Sequence, residues 1–164
     1  MGDHVWEEVQ REAKIEALGH VGIHTNDLMK MRDFWTRVMG LTIADEDLEG
    51  RGMVFLTADP SREHHEFVLM TDRDAPEGSK LVQQISFIVP DIDHLKEYHR
   101  RLKQEGLQID QFVSHGNAIG LYFYDPEGNR IEVYYKTGFD VPQPRLDPLD
   151  INAPKEELLA VARG

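Results

Sequence analysis

Apolar and polar positions along the chain follow two alternating periods, and the order of those periods repeats. In "LGHVGIHTNDLMKMRDFWTRVMGLTI", from Leu18, a short apolar strand reaches Asp27, a stripe at helical spacing follows (Leu28, Met31, Trp35, Val38), and Gly40 closes it. In "VQQISFIVPDIDHLKEYHRRLKQEGLQI", from Val82, a similar strand reaches Asp91, the stripe is Ile92, Leu95, Tyr98 and Leu102, and Gly106 closes it. The aspartates suit helix N-caps, and the glycines suit the left-handed residue past a helix C-terminus. After each helix the period falls to that of strands. "LTIADED", "RGMVFLTAD" and "HHEFVLMTD" follow the first helix; "LQIDQFVSH", "NAIGLYFYD" and "NRIEVYYK" follow the second, with breaks at turn formers such as "DPSRE" and "DPEGN". The pattern predicts an α+β fold of two tandem βαβββ modules, 17–72 and 81–136, joined by "TDRDAPEGSK". Helices on one face of such units leave the other face concave and able to hold a ligand. Residues 1–16 predict an amphipathic helix, and 137–164 a Pro-rich arm ending in a short helix from about Asn152.

The repeat lets each polar residue within a strand be compared with a counterpart. Glu66 and Glu132 stand at the spacing that separates Gly40 from Gly106, which predicts both on the last strand of their module. His20 and Gln84 stand at the spacing that separates Asp27 from Asp91, at the start of each first strand. A local twofold axis relating the modules would bring all four to one point. Alone, each has a plainer explanation: a solvent-facing carboxylate, a hydrogen-bonded buried histidine, an amide filling space. His64 and His65 flank Glu66. Strand alternation puts His64 on the face of Glu66 and His65 on the opposite one, as a structural residue. His24 alternates with His20 and would line the cavity.

Composition narrows the chemistry. The 164 residues carry 18 Lys+Arg against 30 Asp+Glu, a net charge of −12 that disfavours nucleic acid and anionic membrane surfaces as partners. Without cysteine, any metal must be held by imidazole, carboxylate or amide oxygen. No apolar run approaches the ~20 residues of a membrane span, which leads to the expectation of a soluble, cytoplasmic protein, with the flanks available for a homodimer contact.

The doubled unit, the strand starts "LGHVGI" and "QISFIV", and "HGNAIGLYFYDPEGNRIEVYY" together resemble the vicinal oxygen chelate superfamily: glyoxalase I, extradiol catechol dioxygenases, methylmalonyl-CoA epimerase and bleomycin-resistance proteins. The resemblance covers residues 17 to about 136. It implies a cup-shaped mixed sheet around a central cavity and a divalent metal, Fe(II) ahead of Zn, Ni or Mn. The second module is most similar to extradiol dioxygenases. That similarity implies His20 and Glu132 as metal ligands, His115 as the acid and base beside them, and Tyr122 as a donor to a bound phenolate. It also implies a second histidine ligand where Gln84 stands, so the chain departs from the pattern there. Glu66 could compensate, and the set His20, Glu66, Gln84 and Glu132 resembles glyoxalase I and the epimerase. Three readings follow: an extradiol-type dioxygenase acting on a catechol-like aromatic, a metal-dependent isomerase acting on an α-hydroxycarbonyl, and a metal-free small-molecule binding protein.

Overall fold

Asp27 and Asp91 start the two helices as the sequence predicts: in this computed structural model, which describes residues 15–76 and 79–164, the Asp27 carboxylate accepts the Lys30 N–H at 2.9 Å and that of Asp91 the His94 N–H at 3.0 Å. The first helix, α1 (Leu28–Asp33), passes directly into a π-helical turn over Phe34–Val38; the second, α2 (Ile92–Gln104), is regular. The wider turn lets neighbouring Phe34 and Trp35 both face inward, at 3% and 0% exposure. Gly40 and Gly106 follow the helices with φ of 80° and 69°, a conformation that costs a side-chain-bearing residue energy. The helix expected over residues 1–16 lies almost wholly outside the described residues.

Module one contributes β1 (Val21–His24), β2 (Thr42–Asp47), β3 (Met53–Thr57) and β4 (Phe67–Met70), in the order β1-β4-β3-β2. Module two contributes β5 (Ile85–Ile88), β6 (Ile109–Ser114), β7 (Ala118–Tyr124) and β8 (Arg130–Lys136). Its sheet has the order β5-β8-β7-β6-β9, where β9 (Asp147–Pro148) comes from the C-terminal arm, which ends in α3 (Lys155–Arg163). In each sheet the first and last strands of the module are parallel and the other pairs antiparallel. The α+β class and the doubled βαβββ order stand as expected. The mixed sheet is two sheets, one per module, and the fifth strand of the second was not foreseen.

The modules pack through their helical sides. Trp35 meets Phe67 of its own module at 4.3 Å between ring centroids and Phe87 of the other at 5.4 Å. The Tyr98 hydroxyl donates to the Met39 carbonyl at 2.7 Å. Glu127, in the turn before β8, accepts the backbone N–H groups of Asn26 and Asp27 at 2.9 and 2.7 Å and pairs with Arg73 at 3.6 Å; both side chains are under a tenth exposed. No helix among the described residues is long and apolar enough to cross a membrane.

The strand register corrects one equivalence. Val21 pairs with Phe67 in module one as Ile85 pairs with Ile131 in module two, and Leu56 pairs with Phe67 as Phe123 pairs with Ile131. The row Gly22, Val68, Phe55 therefore corresponds to Ser86, Glu132, Tyr122. The counterpart of Glu132 is Val68, and that of Glu66 is Arg130. The cause is the last hairpin loop, which runs over 58–66 in module one and only 125–129 in module two, so one fixed spacing cannot hold on the final strand. His20 and Gln84 remain equivalent, each just before the first strand of its module.

Candidate functional site

On the last strand of each module, alternate residues face the helix: Phe67 and Leu69 in β4, Ile131 and Val133 in β8, all buried. Glu132 lies between the latter two and so faces the opposite, concave side, yet it is only 6% exposed. Ser86 Oγ donates to its Oε2 at 2.6 Å, and Gln84 Nε2 donates to the same oxygen at 3.1 Å. Beyond, the Arg130 guanidinium donates to Gln84 Oε1 at 3.0 Å, forms an ion pair with Asp110 at 2.8 Å, and lies 4.3 Å over the Tyr122 ring. This fixes the amide. Turning it over would place its NH2 against the guanidinium and its oxygen against the carboxylate. No lysine or arginine is bonded to Glu132 among the described residues; the groups that donate to its carboxyl, Ser86 and Gln84, are neutral.

Tyr122 pairs with Glu132 across β7 and β8. Burial first, then the hydrogen bond and charge of Glu132, push its hydroxyl above the ordinary phenol range, so it stays a protonated donor. That hydroxyl lies 3.1 Å from His115 Nε2, and His115 Nδ1 lies 2.8 Å from the Arg145 carbonyl. Gly120 leaves the space these groups use, since a Cβ there would stand 2.6 Å from Glu132 Oε1 and 3.1 Å from the Tyr122 ring. Ser86, His115, Tyr122 and Glu132 line one open cavity of about 740 Å³, to which Phe139 and Gln143 of the arm also contribute. A phenol and an imidazole are thus within hydrogen-bond distance of each other, with a carboxylate paired across the strands from the phenol, next to space for a small molecule.

The remaining expected residues lie elsewhere. His20 is exposed on module one, its ring 4.5 Å from that of His65. His65 does not point away, as strand alternation had suggested; β4 begins only at Phe67, and the loop turns His65 onto His20 and Phe55. Partial burial, then the charges of His20 and His64, lower its pKa. Glu66 Oε2 accepts the Ala58 N–H at 3.0 Å across its own hairpin, and His24 Nδ1 lies against the Thr71 carbonyl. Gln84 turns its NH2, not its oxygen, to Glu132. Among the described residues no three His, Asp or Glu groups converge to hold a metal. The sequence reading missed Ser86, although it shares the face of Gln84 one alternation on. Arg130, Gln143 and Arg145 carried no pattern that would mark them.

Comparison with known proteins agrees with this architecture. Over 118 residues the chain is 28% identical to biphenyl-2,3-diol 1,2-dioxygenase 2 of Rhodococcus globerulus, covering 70% of this chain and 60% of that protein. Over 125 residues it is 29% identical to biphenyl-2,3-diol 1,2-dioxygenase 3 of the same organism, covering 71% and 61%. The chain thus spans about three fifths of the length of these relatives. Among solved structures, the fosfomycin resistance protein FosX of Listeria monocytogenes, complexed with Mn(II) and sulfate, superposes with a TM-score of 0.61 at 18% identity over 76% of this chain and 93% of that one. Residues 17–133 match the family model described as Glyoxalase/Bleomycin resistance protein/Dioxygenase superfamily, and the chain belongs to that superfamily.

Proposed function

We propose that the protein is a metal-dependent ring-cleaving dioxygenase of the extradiol type, acting on a catechol-like aromatic. The observation that carries the reading is the placement of His115 Nε2 at 3.1 Å from the Tyr122 hydroxyl, with buried Glu132 beside them in one cavity. The names of the two dioxygenase relatives support it. A catechol hydroxyl entering this cavity would meet the imidazole as proton acceptor, and Tyr122 would donate to the resulting phenolate. Arg130, over the Tyr122 ring, holds that ring in place.

The chemistry of the donors is consistent with a cation: a cavity-facing carboxylate without a counter-ion is the kind of group that binds one. Glu132 and His20 would hold it. Because His20 does not line the cavity of Glu132 within one chain, a second copy would have to bring it there, in a homodimer. A divalent metal, Fe(II) ahead of Zn, Ni or Mn, would supply the electron transfer to dioxygen that no side chain here can perform. Anaerobic purification, metal analysis, and exposure to catechols and air test the reading. Bound iron with a yellow ring-opened product supports it, and iron-loaded protein that leaves every catechol intact refutes it.

The amide of Gln84, turned with its NH2 to the carboxylate, favours a second reading: a metal-free binding protein in which Ser86 and Gln84 hold Glu132 for a guest. Absence of retained metal, with tight binding of a small cation, would select it. An isomerase with four metal ligands is less well supported, since Val68 occupies the position equivalent to Glu132 and Glu66 is bonded within its own hairpin.

A further inference from the structure

The C-terminal arm is tied to His115 at two points, and a third bond joins the two arm residues to each other. The Arg145 carbonyl lies 2.8 Å from His115 Nδ1, Gln143 Nε2 donates to the His115 carbonyl at 2.6 Å, and the Arg145 N–H donates to Gln143 Oε1 at 3.2 Å. These bonds close a ring holding both the backbone and the imidazole of one residue. The Arg145 side chain anchors that ring to the end of the chain. Its guanidinium donates to the Val161 carbonyl at 2.7 Å and the Ala162 carbonyl at 3.2 Å, in the last turn of α3, and pairs with Asp147 of β9. α3 is itself held by Leu158 and Ala162, buried in the core, and by a bond from Lys96 Nζ of α2 to the Ala153 carbonyl at 2.6 Å.

We propose that the arm, residues 137–164, sets the tautomer and orientation of His115, with Gln143 and Arg145 as positioning residues. A backbone carbonyl only accepts, so Nδ1 must carry the proton. In the neutral ring Nε2 then carries the lone pair, which accepts from the Tyr122 hydroxyl at 3.1 Å and faces the cavity, where a bound hydroxyl could exchange for that partner and hand over its proton. An arm that served only to cover the open edge of β6 would not need this ring, because β9 pairs with Val113 and Ser114 by itself. The proposal rests on His115 being the proton-transfer group, and it deepens that reading by placing control of the group in a segment outside the repeated modules.

The test is a long-range proton–nitrogen correlation spectrum of the full-length 15N-labelled protein, with His115 assigned by its loss in His115→Gln. Wild type should show the Nδ1–H tautomer. Arg145→Ala, which frees the carbonyl from α3, should shift the tautomer ratio about tenfold toward Nε2–H, and the milder Gln143→Ala about threefold. Gln143→Ala should also lower kcat for a catechol about tenfold. An Nε2–H ring in wild type, or a ratio unmoved in Gln143→Ala, would overturn the proposal even if Arg145→Ala fails to fold. The two readings separate cleanly. Expected tautomers with no turnover would sink the dioxygenase and spare the arm; turnover with an unmoved tautomer would do the reverse.

Discussion

The two modules share a fold but not the chemistry of their open faces. In module one the central row of that face is Gly22, Val68 and Phe55; in module two it is Ser86, Glu132 and Tyr122. On the helix-facing side the same strands carry Phe67 and Leu69 in one module and Ile131 and Val133 in the other, apolar throughout. A buried apolar layer tolerates little change, because each lost methylene leaves a void and each added polar group lacks a partner. The open side has no such restraint. The repeat therefore keeps which way each residue faces and leaves the side chain free: Ser86, Glu132, Tyr122 and His115 meet in module two, while module one carries His20 beside His65.

The comparison breaks most directly at Glu132. Glu132→Gln keeps the shape and both donors but removes the charge, and should lower ring cleavage more than ~10²-fold and abolish metal retention, with circular dichroism unchanged. Retained metal and turnover would mean that the asymmetry between the rows has no chemical weight. The converse substitution, Val68→Glu, builds the second row into the first. Val68 is 6% exposed and has no hydroxyl beside it, so unfolding in urea should show a loss of about 3 kcal/mol. Adding Gly22→Ser, the counterpart of Ser86, should restore about 1 kcal/mol. If the double variant is no more stable than Val68→Glu alone, the rows are not equivalent.

The strands and helices of the two modules were legible in the sequence because they follow from periodicity, and periodicity survives burial; β9 and the direction of His65, which precedes β4, do not follow from it and were not legible. Asp27, Asp91, Gly40 and Gly106 marked the helix ends for local reasons that the structure repeats. The pairing of Glu66 with Glu132 was not legible. It depended on a constant spacing through the last hairpin, and the loop over 58–66 shifts the final strand relative to its twin. His115, Tyr122 and Glu132 share one cavity, whereas His20 does not join them within one chain. The orientation of Gln84 was beyond reach as well, since it depends on Arg130, a residue whose ring contact and ion pair exist only after folding.

Gln84→His sharpens the contrast at intermediate size. The imidazole would lose the bond from Arg130 but offer a stronger metal donor, and iron affinity measured by competition with a chelator should rise about tenfold. Weaker iron binding in this variant would place Gln84 among the residues that merely orient Glu132.

The smallest effect is expected at Glu66. Its carboxylate accepts the Ala58 N–H and lies within 3.5 Å of the Thr57 hydroxyl, closing the loop between β3 and β4 on itself. Glu66→Ala should cost about 0.5–1 kcal/mol of stability in thermal or urea unfolding, the range of one exposed hydrogen bond. Metal content and turnover should stay within twofold of wild type. A carboxylate serving as a fourth ligand would behave otherwise, because its removal takes away half of the negative charge facing a divalent ion, and metal affinity would fall by orders of magnitude. Comparing metal content in Glu66→Ala with that in Glu132→Gln, on protein prepared in parallel, therefore decides whether the two glutamates are twins in function or only in apparent spacing.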